Sequence, residues 1–366
     1  MVDNAKLAAI AGKFCLEGKV TDVRPLGEGF INDTFVVYTD NSQEPSYILQ
    51  RKNHLIFTDV PAMMENIFKV TEHIKKKVSD PLRDTLTPVR TAEGKLYHND
   101  ADGNFWTVCL FIGGTRSYSI ADTEELAWQG GLGLGEFHCL VSDFTEPLAV
   151  VLKGFHDMRF RFNQWDAAVK ADKAGRVASL KEEIGWIESR RQLMMEFCEK
   201  IEKGIFPVRV THNDTKISNF LFNASDGSLL CAIDLDTLMS STILNDVGDA
   251  LRSYTNTGAE DDTDLDKVGM SFGMFKAYIG GYLSKMKDTL TGAELDALAF
   301  SGIYITYEQV LRFLMDYIDG DTYYKIAYPE HNLVRTRAQF KLLCSMEAQL
   351  DRMNAYVKSL TCPTLP

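Results

Sequence analysis

His212-Asn213-Asp214-Thr215-Lys216-Ile217-Ser218-Asn219 is the stretch whose reading decides the fold. Before it, Pro207-Val208-Arg209-Val210-Thr211 has the β-branched content of a short strand. After it come the apolar Phe220-Leu221-Phe222, a turn at Ser225-Asp226-Gly227, and a second apolar run over 229–233. That run ends in Asp234-Leu235-Asp236-Thr237. Two neighbouring strands therefore each deliver carboxylates from their ends. Asp, Asn and Thr also favour turns and caps, so either segment alone could be a plain loop. Two such segments at successive strand ends predict a chemical site.

The spacing His-x-Asp-x-x-x-x-Asn matches a protein-kinase-type catalytic loop. Phosphoryl transfer requires a carboxylate that holds the attacking hydroxyl and takes its proton. It also requires oxygen ligands for the metal that bridges the phosphates. In that reading Asp214 is the base, and Lys216 offsets charge on the transferring group. Asn219 and Asp234 are the magnesium ligands, hard oxygens of the kind that ion prefers, and Asp236 is either a further ligand or a residue that positions substrate. His212 reads as a structural residue of the loop.

Outward from this island the chain divides. Toward the N-terminus, strands are expected over 19–26, 30–39 and 46–51, with a short helix at 3–17 before them. A helix is expected over 59–78, where Asp59 caps, Pro61 suits the first turn, and Met63, Met64, Ile67, Val70 and Ile74 share one face. Strands at 95–98 and 105–112 flank the turn sequence Asn99-Asp100-Ala101-Asp102-Gly103-Asn104. Gly27-Glu28-Gly29, between the first two strands, reads as a phosphate-covering loop or as an ordinary hairpin turn. Gln50 or Arg51 stands near the place where a third-strand lysine is expected, and no lysine is assigned there. Phe111 and Ile112, before Gly113-Gly114, are the expected adenine hinge.

Beyond the glycine pair, helices are expected at 122–142, 181–203, 264–283, 300–318 and 330–357. The pattern predicts an α+β, protein-kinase-like two-lobe fold. Residues 1–113 form a small β-rich ATP-binding lobe, and 114–366 a larger, mainly helical catalytic lobe. Gly130-Gly131-Leu132-Gly133-Leu134-Gly135 lacks the preceding strand of a dinucleotide fingerprint and reads as close helix packing.

Composition excludes several classes. The 366 residues carry a net charge of −12, which disfavours binding to nucleic acid or anionic membranes. Seven cysteines, an odd number with no CxxC, argue against zinc and against a disulfide framework. The first thirteen residues hold too short an apolar run for a secretory signal, so Asn213-Asp214-Thr215 is read as a chance sequon. No apolar stretch has the length of a membrane span. A cytoplasmic protein without an obligate protein partner is expected.

Val210-Thr211-His212-Asn213-Asp214-Thr215-Lys216 with Ile233-Asp234-Leu235-Asp236-Thr237 resembles the aminoglycoside phosphotransferase and choline kinase superfamily. Within it, the chain is most similar to the N-acetylhexosamine 1-kinase branch. The further likeness lies in Gly27-Glu28-Gly29, Ile31-Asn32, Tyr47-Ile48-Leu49-Gln50, Arg312-Phe313-Leu314 and the run from Tyr328 to Arg337. The resemblance implies ATP and Mg2+ as cofactors and the anomeric hydroxyl of N-acetylglucosamine or N-acetylgalactosamine as acceptor. It implies Gly27, Gly29, Gln50, Phe111 and Ile112 at the nucleotide, and Asn32, Asp214, Arg312 and Tyr323 at the sugar. Asp246, Asp249 and Arg252, which follow the metal loop at 234–237, read as its structural support. The chain departs from the branch at Phe30, where the branch carries histidine, and at Ser253, where it carries an aromatic residue. Both departures bear on sugar choice. The alternatives are a kinase for choline, homoserine or an aminoglycoside, and a nucleotide-binding pseudokinase that acts as an interaction module.

Overall fold

A computed structural model describes residues 4–27 and 31–361. Two compact units emerge. A strand-rich one takes Met1–Ser117, Leu140–Lys153 and Asn219–Ser240; a helical one takes Tyr118–Cys139, Gly154–Ser218 and Ser241–Pro366. The 212–219 segment runs from the helical unit into the strand-rich one.

The chain begins with α1 (Asn4–Ala11), β1 (Val20–Pro25), β2 (Asp33–Thr39), β3 (Tyr47–Lys52) and α2 (Val60–Lys75). Then come β4 (Pro88–Val89), β5 (His98–Asn99), β6 (Phe105–Leu110) and β7 (Thr115–Arg116). All pairings are antiparallel, in the order β1-β2-β3-β6-β4, with β5 added on β6. Leu7 and Ile10 of α1 cover Phe35, Val37, Leu49, Trp106 and Val108. Each such buried side chain stabilises by about 1.5–3 kcal/mol. Because strand side chains alternate, Tyr47 and Leu49 enter this core while Gln50 and Lys52 fall on the opposite face. Helix α2 starts as expected, with the Asp59 carboxylate accepting the Ala62 N–H at 3.0 Å. Its Asn66 donates to the carbonyls of Ala149 and Leu238, each at 2.9 Å.

The helical unit contains α3 (Glu124–Leu140), α4 (Met158–Ala171), α5 (Lys181–Glu188), α6 (Arg191–Glu202) and the short strand β8 (Arg209–Thr211). Strands β9 (Phe220–Asn223) and β10 (Leu229–Ala232) then form a hairpin in the strand-rich unit, with β7 on the far side of β9. The chain closes with α7 (Ile243–Tyr254), α8 (Phe272–Met286), α9 (Gly292–Asp319) and α10 (His331–Thr361). The long α9 packs along α7 and α10.

The expected α+β fold is the observed one, and its boundaries moved for physical reasons. Helices α4 and α7 were not anticipated. In α7 the residues from Ile243 to Leu251 are buried, but Asn245, Asp246, Gly248 and Asp249 read in the sequence as loop residues. The expected 181–203 helix is two helices, divided at Ser189-Arg190. Helix α9 starts at Gly292, eight residues before the expected start, under a capping box between Thr291 and Glu294. The glycines of α3 serve helix packing: a Cβ on Gly131 would lie 2.0 Å from the Tyr278 carbonyl oxygen of α8. Among the described residues no helix is long and apolar enough to cross a membrane.

Candidate active site

The loop 212–216 is held by α7. The Asp246 carboxylate accepts the His212 N–H at 2.8 Å and the Asn213 N–H at 2.7 Å. It also meets the His138 ring at 2.9 Å, whose other nitrogen lies 3.0 Å from the Tyr282 hydroxyl. One turn on, Asp249 accepts the Thr215 N–H at 2.9 Å and pairs with Arg252 at 3.0 Å. The Thr215 hydroxyl donates to the Asp246 carbonyl at 2.7 Å. Asp246 and Asp249, with Arg252 pairing Asp249, therefore hold the 212–216 loop, not the metal loop at 234–237 that they were expected to support. His212 is fully buried beside Phe137, and its Nδ1 accepts the Asp214 N–H at 3.3 Å, a structural position.

Asp214 differs from these aspartates. Its side chain is 27% exposed and meets the Lys216 ammonium at 2.9 Å. Asn213, immediately before it, has a φ of 65°, the left-handed region that Asn tolerates best among non-glycine residues. This turn lets the loop backbone face α7 while the chain carries on to Asp214 and Lys216.

The metal-ligand candidates lie in the strand-rich unit. In the β9–β10 hairpin Ala232 stands opposite Phe220, and the Ile233 N–H donates to the Asn219 carbonyl at 2.8 Å. The register therefore places Asn219 and Asp234 at the same end of the hairpin. Asp234 has a φ of 55°, where the strand gives way to the turn 235–237. An amide oxygen and a carboxylate at one hairpin end are hard donors of the kind magnesium takes, with the remaining positions left to waters and phosphates.

Asp236 is held differently, and here the sequence reading needs correction. The third strand does carry a buried lysine, at its very end. The Lys52 ammonium meets both Asp236 oxygens at 2.7 and 2.8 Å and the Gln50 side-chain carbonyl at 2.7 Å. Lys52 and Asp236 are each 4% exposed. Asn32 donates to the same carboxylate at 2.8 Å, and its carbonyl accepts the Asn53 N–H at 3.0 Å. Asp236 thus accepts three bonds, against about four lone-pair sites on a carboxylate. Strand parity was the available signal, because Lys52 shares the face of Gln50 whereas Arg51 points away to Asp33.

Of the nucleotide candidates, Gln50 also donates to Thr34 at 3.2 Å. Gly27 has a φ of 65° after β1, while Gly29 and Phe30 lie outside the described residues. Past β6, the Phe111 N–H donates to the Ser46 carbonyl at 3.0 Å, and the Ile112 carbonyl accepts the Thr115 hydroxyl at 2.7 Å. Arg83 braces the next residue through the Gly113 carbonyl at 2.6 Å.

Two of the expected acceptor residues of the helical unit, Arg312 and Tyr323, come together. Arg312 of α9 lies over the rings of Phe155, Tyr323 and Tyr324 at 5.5–5.7 Å. Its hydrogen bond to Gln309 is long, at 3.4 Å. The Tyr323 loop is shaped by Asp316, which accepts the N–H groups of Thr322, Tyr323 and Tyr324 at 2.8–3.0 Å. Ser253 is half-buried on α7, its hydroxyl donating to the Ala250 carbonyl at 3.1 Å.

Comparison with known proteins follows the same line. Residues 22–272, more than half of the chain, match the phosphotransferase enzyme family. A microcompartment-associated aminopropanol kinase is similar over 96% of this chain and 98% of its own, at 16% identity and a TM-score of 0.66. A spectinomycin phosphotransferase, solved with ADP and spectinomycin, is similar over 96% of this chain and 99% of its own, at 13% identity and a TM-score of 0.56. A choline/ethanolamine kinase family protein from Mesorhizobium loti is similar over 97% of each chain, at 14% identity and a TM-score of 0.55. Kinases of this kind use ATP, with Mg2+ as the usual cofactor. The chain belongs to the phosphotransferase enzyme family, and with it to the ATP-dependent kinases that phosphorylate an alcohol group.

Proposed function

We propose that this kinase transfers the ATP γ-phosphoryl group to the anomeric hydroxyl of an N-acetylhexosamine, giving a sugar 1-phosphate and ADP. Asp214 takes the proton of the 1-hydroxyl, and Lys216 offsets charge at the transferring group. Asn219, Asp234 and Asp236 would hold Mg2+, which when bound would supply charge neutralisation at the phosphates. Gly27, Gly29, Gln50, Phe111 and Ile112 receive the nucleotide, and Lys52 joins them. Asn32, Asp214, Arg312 and Tyr323 bind the sugar. Residues 1–113 act as the ATP-binding lobe and 114–366 as the catalytic and sugar-binding lobe, in a cytoplasmic enzyme.

The observation that carries the choice of acceptor is Arg312. It is a half-buried guanidinium with one long hydrogen bond, set among three aromatic rings. Glu308, the carboxylate whose charge acts on it, is already engaged by His156 and Arg161. Such a surplus of positive charge repels the ammonium of choline or of an aminoglycoside. It suits a neutral acceptor with carbonyl and hydroxyl oxygens, and the rings suit the apolar face of a sugar. Lys52 removes the missing-lysine argument that motivated a pseudokinase.

The test is magnesium-dependent ADP release over a panel of hexosamines, choline, homoserine and aminoglycosides, followed by phosphorus NMR of the product. Turnover with an N-acetylhexosamine and a 1-phosphate signal is expected. Turnover confined to amino alcohols, or a 6-phosphate product, would reject the reading.

A further inference from the structure

We propose that His156, held by Glu308, is the positioning residue that fixes the carbonyl of Asn213 and thereby aims Asp214. The proposal rests on reading Asp214 as the base. In the helical unit α7 secures the N–H side of the loop, through Asp246 and Asp249. The carbonyl side is met from another element. His156 Nε2 lies 3.3 Å from the Asn213 oxygen, and Nδ1 lies 2.7 Å from a Glu308 oxygen. The other Glu308 oxygen takes Arg161 at 3.0 Å, and Arg161 also reaches Gln164 at 3.0 Å. The histidine and its carboxylate are out of solvent: the side chains of His156 and Glu308 are 5% and 2% exposed.

Both partners of the imidazole are acceptors, a carboxylate and a carbonyl. Only the imidazolium can donate to both at once. The neutral ring must leave one contact without its proton. The backbone supports the same assignment. His156 has a φ of 55° and Asn213 one of 65°, two left-handed non-glycine residues in direct contact. Strain of this kind persists where the surroundings over-determine it, and it gathers at functional positions. Asp157 caps α4 by accepting the Phe160 N–H at 3.0 Å, which ties the His156 turn to a helix end.

The charges around the ring favour the doubly donating form. Burial disfavours the charge, but the Glu308 ion pair and hydrogen bond outweigh it, Asp249 assists, Arg312 opposes, and the net shift is upward. The Glu308 carboxyl is held well below the usual range: burial would raise it, and His156, Arg161 and Arg312 overcome that. The support is therefore complete at low pH and lost as pH rises through the raised histidine value.

The experiment compares wild type, His156→Gln and Glu308→Gln by steady-state kinetics and by amide hydrogen exchange of residues 212–216. Both variants are expected to lose kcat by up to about 100-fold with KM for ATP little changed, as misaimed catalytic groups do. Glutamine at 156 keeps one donor but cannot carry charge, so its remaining kcat should lose the alkaline fall of wild type. In Glu308→Gln that fall should move to lower pH. Hydrogen exchange needs no acceptor, so it decides even if the proposed substrate is wrong: protection of 212–216 should drop in both variants while α9 and α10 keep theirs. If a variant melts below the assay temperature, wild-type exchange decides, with protection of 212–216 expected to weaken as pH rises above the ordinary histidine range. Unchanged kcat and unchanged exchange at 212–216, or in that fallback a pH-independent wild-type exchange, would overturn the proposal.

Discussion

Asp236 in the strand-rich unit and Asp246 in the helical unit are both buried aspartates with several partners, and their partners differ in kind. Asp236 faces side chains, Lys52 and Asn32. Asp246 faces backbone N–H groups of His212 and Asn213, plus the His138 ring. A side-chain partner can rotate away or exchange its contact for a ligand. A backbone N–H cannot leave without unfolding the loop that carries it. The comparison separates an aspartate whose side-chain partners can exchange for a ligand from one that holds backbone in place. By this criterion Asp214, part exposed and paired with Lys216, belongs with the first kind.

Asp246→Ala should do the most damage. It leaves two buried N–H donors and a buried histidine without their acceptor, and a loss of about 3–5 kcal/mol is expected, read as a fall in thermal midpoint. Lys52→Met should cost a similar amount alone, because Asp236 becomes a buried, underpaired charge. The difference should emerge in a second substitution. Lys52→Met with Asp236→Leu should recover much of the stability, since an apolar pair can replace a buried ion pair, while staying impaired for ATP. No second side-chain change should rescue Asp246→Ala. Full rescue there, or none at Lys52, would break the comparison.

Gly131→Ala tests packing rather than charge. Its methyl meets the α8 backbone, so overpacking of about 1–3 kcal/mol is expected, with KM values unchanged if the protein is assayed below its melting point.

The smallest effect is at the turn before β6. Burial of Asp100 would raise its carboxyl, but bonds from Trp106, the Asn104 side chain, and the Asn104 and Asp102 N–H groups lower it to about 2. A depressed carboxyl stabilises the fold above the unfolded value, near 4, and that contribution is lost as pH falls through about 2. Since the group is largely screened by solvent, Asp100→Asn should lower stability by about 1 kcal/mol or less at neutral pH. The difference from wild type should vanish in acid denaturation scans near the lower value.

How much of this was legible in the sequence follows the same divide. The loop 212–219 and the turn 234–237 were legible because chemistry requires particular residue types at fixed spacing, and strand ends are marked by apolar runs. The cap of α2 was legible because capping is local. Lys52 was missed because its partner lies 184 residues away, and the strand offered three polar residues in a row from which only parity could choose. Helix α7 was missed because its Asn, Asp and Gly read as loop residues, although they sit in a buried helix and bond the 212–216 loop. His156 and Glu308 were missed because no spacing links them; their bond spans 152 residues and depends on how α4 and α9 pack.

The claim at the centre is that Asp214 is the base. Asp214→Asn keeps the size of the side chain and leaves the Asp246 and Asp249 bonds to the loop untouched, so fold and nucleotide binding should survive. The decisive measurement is single-turnover phosphoryl transfer to the preferred acceptor at saturating ATP and Mg2+, with nucleotide affinity measured in parallel by calorimetry. The account predicts unchanged ATP affinity and a rate lower by about 10²–10⁴-fold, the usual contribution of a positioned base. A transfer rate equal to that of wild type would contradict it.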